Sequence, residues 1–225
     1  NHFATQGSAG GPVGMVNVSF IEDVSLNTSA FGANIDNALS GVVRFNQRNG
    51  DQQKRNYNFR LGASEAAFTV DGPFVKPKDG SSAKTTFIAS VRRSYLQYLF
   101  EVIDLPFLPD YTDYQYKVNH KINTKHEISL IGLGSIDDFK VNEPEDITPE
   151  QKATLDQIAI IKQKTNTVGV SWKYNFENGQ LLTTLSNNVL QNNLKQYLDN
   201  INEQGLYFSN DSRESQTTFK AEVLK

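Results

Sequence analysis

The stretch FIEDVSLNTSAFGANIDNALSGVVRF, Phe20 to Phe45, is where the chain changes character. Ile21, Val24 and Leu26 form a short apolar run, and Ser29, Ala30, Gly32 and Ala33 break it. Ala38-Leu39-Ser40-Gly41 then leads into Val42-Val43-Arg44-Phe45. Two β-prone runs around a small-residue segment predict strand, turn, loop and strand. Beyond Phe45 the sequence becomes one alternating segment after another. We therefore divide the chain into a small unit, residues 1–50, and a long β-rich region, residues 51–225.

Upstream, residues 1–19 carry Gly7, Gly10, Gly11 and Gly14 around Pro12, which favours loop over helix. A phosphate-cradling loop would need a preceding strand and a following Gly-Lys-Ser/Thr, and the latter is missing. Close backbone packing is the simpler use of these glycines.

Downstream, NQRNGDQQ (46–53) reads as a polar linker. Period-two alternation follows, the mark of strands with one apolar face. Tyr57, Phe59, Leu61 and Ala63 oppose Asn56, Asn58 and Arg60; Ala66, Phe68, Val70, Gly72 and Phe74 oppose Ala67, Thr69 and Asp71. Phe87, Ala89 and Val91 oppose Ser90 and Arg92, while Arg93 falls on the apolar side, where only a strand end tolerates a long cation. Tyr114, Tyr116, Val118, His120 and Ile122 form the next face, followed by Ile128, Leu130, Gly132, Gly134 and Ile136. Within this run Gly132-Leu133-Gly134-Ser135 predicts close backbone approach rather than a nucleotide loop. Val168, Val170, Trp172, Tyr174 and Phe176 make the clearest strand, closed by Asn178-Gly179, a hairpin signal. Leu181, Thr183, Leu185 and Val189 fade toward a loop at 198–206, and Phe219, Ala221 and Val223 end the series.

About eight strands result. Short connections are expected near 76–84, 123–125 and 177–179, and longer ones near 94–112, 140–166 and 198–214, with 64–65 a short exception on the long side. Thr148-Pro149-Glu150-Gln151 is a helix-start signature, and Leu155, Ile158, Ala159 and Lys162 recur at helical spacing, so a helix is expected near 149–163. Alternating long and short connections suit a transmembrane barrel with aromatic girdles. A soluble β-sandwich would alternate as well.

Composition narrows the function classes. The chain has 225 residues, no cysteine and a formal net charge of −3. That charge, without a basic cluster, gives no reason to expect nucleic acid. Absent cysteine excludes a disulfide framework and thiolate metal sites. No apolar run reaches the roughly eighteen residues of a membrane-spanning helix. His2, His120 and His126 are scattered, no Gly-x-Ser-x-Gly elbow occurs, and the carboxylates of 137–146 read as a solvated loop. No cofactor, metal site or enzyme activity is expected.

IEDVSL, a small-residue turn and NALSGVVRF together resemble the end of the plug domain of TonB-dependent outer-membrane receptors. NHFATQGSAGGPVGMVNV resembles the plug segment just before it. SVRRSYLQYLF with LPFLPDYTDYQYKVNHKIN resembles the first barrel hairpins of a glycan- or siderophore-importing subgroup. Ser29 and Asp36 depart from this pattern, standing where the family usually has glycine.

The resemblance implies a mainly β protein: part of a small α/β plug followed by the first strands of an antiparallel transmembrane β-barrel in the bacterial outer membrane. It implies plug-gated import of a siderophore, cobalamin, glycan or peptide. It also implies outer-membrane lipid, a TonB-type periplasmic energy-coupling protein acting on a box upstream of Asn1, and a surface lipoprotein as partners. Substrate would meet His2, Phe3 and Gln6 in the apical loop and Tyr95, Tyr98, Phe107 and Tyr111 in the aromatic loop. The competing reading is that these aromatics simply anchor the barrel rim. The alternative reading is a non-transporting soluble sandwich, a lectin or adhesin. Because the family closes a larger barrel, further strands are expected beyond these eight.

Overall fold

The computed structural model describes residues 16–28, 35, 41–77, 80–103, 105, 107–142 and 147–225. Strands β1 (Ile21–Asn27) and β2 (Val42–Gln47) form a two-stranded antiparallel sheet. A 3₁₀ turn, Val18–Phe20, precedes them, with the Asn17 side chain capping it through the Ser19 N–H at 3.0 Å. The strand–loop–strand expectation for Phe20–Phe45 holds in its two strands; most of the intervening loop, including Ser29 and Asp36, lies outside the described residues.

The remaining strands form one antiparallel meander in the order β10-β9-β8-β7-β6-β5-β4-β3. They are β3 (Asn56–Leu61), β4 (Glu65–Pro73), β5 (Thr85–Ser94), β6 (Phe107–Lys121), β7 (His126–Val141), β8 (Ile160–Phe176), β9 (Gly179–Asp199) and β10 (Gln204–Leu224). The protein is mainly β, and the predicted strand number matches this eight-stranded sheet. Helix α1 (Leu96–Val102) lies between β5 and β6, and α2 (Pro149–Gln157) between β7 and β8. Among the described residues no helix is long and apolar enough to cross a membrane.

The register shows how alternation becomes two faces. One cross-strand row reads Phe59, Phe68, Val91, Tyr114, Gly134, Asn166, Val189, Ser215. A second reads Gly72, Phe87, Val118, Leu130, Val170, Leu185, Phe219. These largely apolar rows are the outward, accessible face: Phe59 is 69% exposed and Phe219 70%. The opposite face is polar and much of it is buried, including Thr69, Asp71, Thr86, Ser90, Arg92, Asp113, Gln115, Asn119, Ser135, Thr165 and Asn188. A water-soluble domain distributes these groups the other way round.

Gly132 and Gly134 confirm close approach. Tyr116 stands opposite Gly132 and Tyr114 opposite Gly134. A Cβ on Gly132 would fall 2.2 Å from the Tyr116 ring. The Tyr114 hydroxyl passes over Gly134 and donates to Asn166 Oδ1 at 2.8 Å.

Several boundaries differ from expectation. The predicted capping box forms: the Gln151 N–H donates to Thr148 Oγ1 at 3.2 Å, and the Thr148 N–H to Gln151 Oε1 at 2.9 Å. However, the helix ends at Gln157 rather than 163, because Ile160 and Ile161 pair with Lys195 and Leu194 of β9. Asn200 Nδ2 donates to the Leu155 and Ile158 carbonyls at 2.7 and 2.8 Å, which terminates the helix. The expected loops at 94–112, 140–166 and 198–214 are shorter. β6 begins at Phe107, β8 at Ile160, and β9 and β10 are separated only by residues 200–203. Ladder hydrogen bonds hold the polar residues there in extended conformation. The linker 46–53 likewise loses its first two residues to β2.

Candidate functional site

The polar face is where the small N-terminal unit meets the large sheet. Thr69, Ser90 and Gln115 are cross-strand neighbours on β4, β5 and β6, all facing inward. Asn17 lies across all three. Its Nδ2 reaches Ser90 Oγ at 2.7 Å and Thr69 Oγ1 at 3.5 Å, and its backbone N–H donates to Gln115 Oε1 at 3.0 Å. Asp71, Ile88 and Lys117 form another inward row on the same strands. Lys117 Nζ donates to the Gln47 carbonyl at 2.6 Å.

Asp71 joins the linker to the wall. Its carboxylate accepts from Arg48 Nη2 at 2.9 Å, the Asp51 N–H at 3.1 Å and Asn56 Nδ2 at 3.3 Å. Gly50 is needed beside it, since a Cβ there would sit 2.2 Å from the Phe87 carbonyl oxygen. Asp51 in turn accepts from the Gln53 and Lys54 N–H groups at 2.7 and 3.1 Å. Those bonds, Gln53's first, hold its carboxyl below the usual carboxylate range.

A charged cluster braces the same wall nearer α1. Arg92 Nε and Nη2 both donate to Asp113 Oδ2, at 2.9 and 2.6 Å. Arg92 is 4% exposed and Asp113 3%. Glu65 completes the cluster, contacting Arg60 at 3.3 Å, Arg92 at 3.3 Å and the Tyr111 hydroxyl at 3.0 Å. The Arg92 guanidinium also lies 5.9 Å from the Tyr111 ring centroid, within cation–π range. Each carboxylate has a matched donor, so this cluster is a brace rather than an acid–base pair. Leaving one of two buried ions unpaired costs roughly 3–5 kcal/mol.

The other side of the unit is open. Arg44 and Asn46 of β2 share a cleft of about 400 Å³ with Leu182, Thr184, Thr218 and Lys220 of β9 and β10.

Tyr95, Tyr98, Phe107 and Tyr111 all lie around the β5–β6 connection, but in different environments. The Tyr95 hydroxyl donates to the Gly62 carbonyl. Tyr98, on α1, is 62% exposed. Phe107 opens β6 opposite Val141. Tyr111 is buried in the charged cluster. His2, Phe3 and Gln6 lie outside the described residues. Of the other histidines, His120 Nδ1 is 2.7 Å from Thr85 Oγ1, and His126 stacks on Tyr174 with centroids 4.7 Å apart. Asn17, Arg48 and Lys117 carry the contact between unit and wall, and nothing local in the sequence marks the first two. Asp71, Arg92 and Lys117 left a weak signal as charges on the polar side of alternating segments, and Asp113 none.

No family model, no curated protein and no solved structure matches this chain.

Proposed function

We propose that this chain is part of a bacterial outer-membrane receptor of the TonB-dependent kind, with residues 1–50 as plug and 51–225 as barrel wall. In this reading it imports a scarce or bulky ligand, such as a siderophore, cobalamin, glycan or peptide, by plug-gated active transport. The observation that carries the reading is the inverted sheet, with apolar side chains outward and buried polar side chains inward beneath the N-terminal unit. A lipid-facing barrel has this polarity.

The dimensions agree. On β7 the outward apolar run extends from His126 to Ile136. At about 3.4 Å per residue and a tilt near 40°, that covers roughly 26 Å, close to the band of about 25 Å on such barrels. One border carries the ring group His126, Trp172, Tyr174 and Phe176, with Trp172 and Tyr174 centroids 6.1 Å apart, as an interfacial girdle would. The connections bearing α1 and α2 leave the opposite end, which we assign to the outside because long loops face outward. Strands β3 and β10 are the sheet's two edges. In a bilayer both need partner strands, so the reading requires further strands for closure. Energy would come from a TonB-type periplasmic protein, and a surface lipoprotein would add a lid.

The soluble-sandwich reading would need the apolar face covered by a second sheet. Among the described residues no second sheet covers it; Tyr57, Phe59, Leu61, Phe219 and Val223 are all exposed.

The deciding experiment is fractionation of the full-length parent, with gel mobility compared before and after boiling. The proposal expects it in the outer-membrane fraction with a heat-modifiable shift. A soluble parent without the shift would overturn it.

A further inference from the structure

Resting on that membrane reading, we infer that the inner face of β8–β10, between the N-terminal unit and the β9–β10 turn, is a binding track for a neutral glycan chain. The inward positions of β9 read Asn188, Leu190, Asn192, Leu194, Gln196, Leu198, with amide and leucine alternating. Asn188 fixes that face, since it is buried on the polar side between Thr167 and Gln216. Asn192 stands between Gln163 and Ser212, and Leu194 between Ile161 and Asn210. Gln196 stands opposite Phe208. From Asn188 to Leu198 the strand covers roughly 34 Å, the length of an extended oligosaccharide. Toward the unit the track continues into Ser186 and Thr218, which line the cleft beside Arg44 and Asn46.

Charge separates this track from the anchored half. From Thr167, Asn188 and Gln216 to the turn, the inward positions of β8–β10 hold no lysine, arginine or histidine and one acid, Glu214. Asp137 of the flanking β7, opposite Gln163, accepts from Ser135 Oγ at 3.1 Å. The row of Leu190, followed into the other half, reaches Asp113 and Arg92. An anionic ligand is drawn by cations, and this track offers none. A sugar ring has an apolar C–H face and a rim of hydroxyls. Leucine and phenylalanine suit the first, and amides, which both donate and accept, suit the second. Two of the amides are held in place: Asn188 Oδ1 accepts from Thr167 Oγ1 at 2.7 Å, and Gln196 Nε2 donates to the Gln157 carbonyl at 3.0 Å. Asn192 Oδ1 is enclosed and has no hydrogen-bond partner, so it is the acceptor that a ligand hydroxyl would satisfy. Leu198 and Phe208 are exposed at the outer end of the track.

The test applies detergent-solubilised full-length protein to a printed array of neutral α- and β-linked oligosaccharides. Calorimetry then measures the best-retained glycan. The inference expects retention of at least one neutral glycan. Ferric citrate, cyanocobalamin and a tryptic digest of casein should not compete with it. Asn192→Leu should weaken binding about ten-fold and Phe208→Ala several-fold. Asn193→Leu, one residue along and on the opposite face, should leave binding unchanged. Each variant is checked for its heat-modifiable shift. Retention of no neutral glycan by the unaltered protein overturns the inference, and that arm does not depend on any variant folding. Displacement by the iron chelate, the cobalamin or the peptides overturns it too. Equal effects of Asn192→Leu and Asn193→Leu overturn the placement on the inner face. A heat-modifiable outer-membrane protein that binds no neutral glycan sinks this inference alone. A soluble parent without the shift sinks the membrane reading with it.

Discussion

The N-terminal unit meets the two halves of the sheet in different ways. Against β4, β5 and β6 it is tied by Asn17, Arg48 and the Gln47 carbonyl to Ser90, Gln115, Asp71 and Lys117. Against β9 and β10 it leaves a polar cleft beside Arg44 and Asn46. Strand length differs as well: β4 ends after nine residues, whereas β9 and β10 run for twenty-one each. A polar wall can therefore serve as anchor or as passage wall, depending on whether its groups bond to the unit or to each other. On the first half Asp71, Ser90, Gln115 and Lys117 bond to the unit; on the second Lys220 and Glu222 pair with each other at 2.9 Å. In the proposed receptor, rearrangement of the plug would begin at the open side and meet most resistance at the tied one.

The largest effect should come from breaking the brace of the anchored half. Arg92→Ala leaves Asp113 and Glu65 short of a cation, and the expected loss is about 3–5 kcal/mol. It should appear as a lower denaturant midpoint in folded, detergent-solubilised protein. An unchanged midpoint would mean the cluster does not brace the wall.

At the seam between the halves, Gly132→Ala should cost about 1–3 kcal/mol by overpacking. The three atoms nearest its new Cβ all belong to the Tyr116 side chain, so adding Tyr116→Ala should recover most of the overpacking penalty. Gly134→Ala should resist rescue by Tyr114→Ala, because its Cβ also meets the Thr165 backbone carbonyl at 2.6 Å. Equal rescue at both sites would remove that distinction.

Asn17→Ala tests the anchor itself. It removes the side-chain bonds to Ser90 and Thr69, with an expected effect of about 1–2 kcal/mol on docking of the unit. Limited proteolysis at residues 41–50 should accelerate several-fold. Asn46→Ala, whose side chain bonds only within the unit to Asp23, should leave that rate nearly unchanged. If the two variants behave alike, the contrast between tied and open sides is wrong.

The smallest effect is a pH response in the linker. The N–H groups of Gln53 and Lys54 hold the Asp51 carboxyl below its usual range. A depressed folded value means the local stabilisation is fully present above the ordinary aspartate value of about 3.9 and fades as pH falls through the folded one. Amide protection of Gln53 and Lys54, corrected for intrinsic exchange, should stay constant from neutral pH to about 4 and drop below it. In Asp51→Asn this acid-dependent drop should vanish.

Much of this architecture was legible locally. Alternation at Tyr57–Leu61, Phe87–Val91, Tyr114–Ile122 and Val168–Phe176 assigned strand and face, because side chains on a pleated strand alternate whatever the strand pairs with. The capping box at Thr148 and Gln151 was equally local, each side chain bonding a backbone group three residues away. Glycine at 132 and 134 announced close contact, though not that tyrosine rings supply it.

Other features belong to the tertiary structure alone. Polar stretches such as 190–199 and 204–217 have loop-like composition, yet they are strands because each backbone group finds its partner across the ladder. Alternation separated two faces without saying which would be buried; the N-terminal unit lying on the polar one decided that. Asn17 bonds to residues 52, 73 and 98 positions away, so no window of sequence contains the interaction. By itself the sequence determined which side chains share a face, since that follows from the geometry of one strand. Which face is covered, and by what, depended on contacts between distant segments, and only the folded chain could settle it.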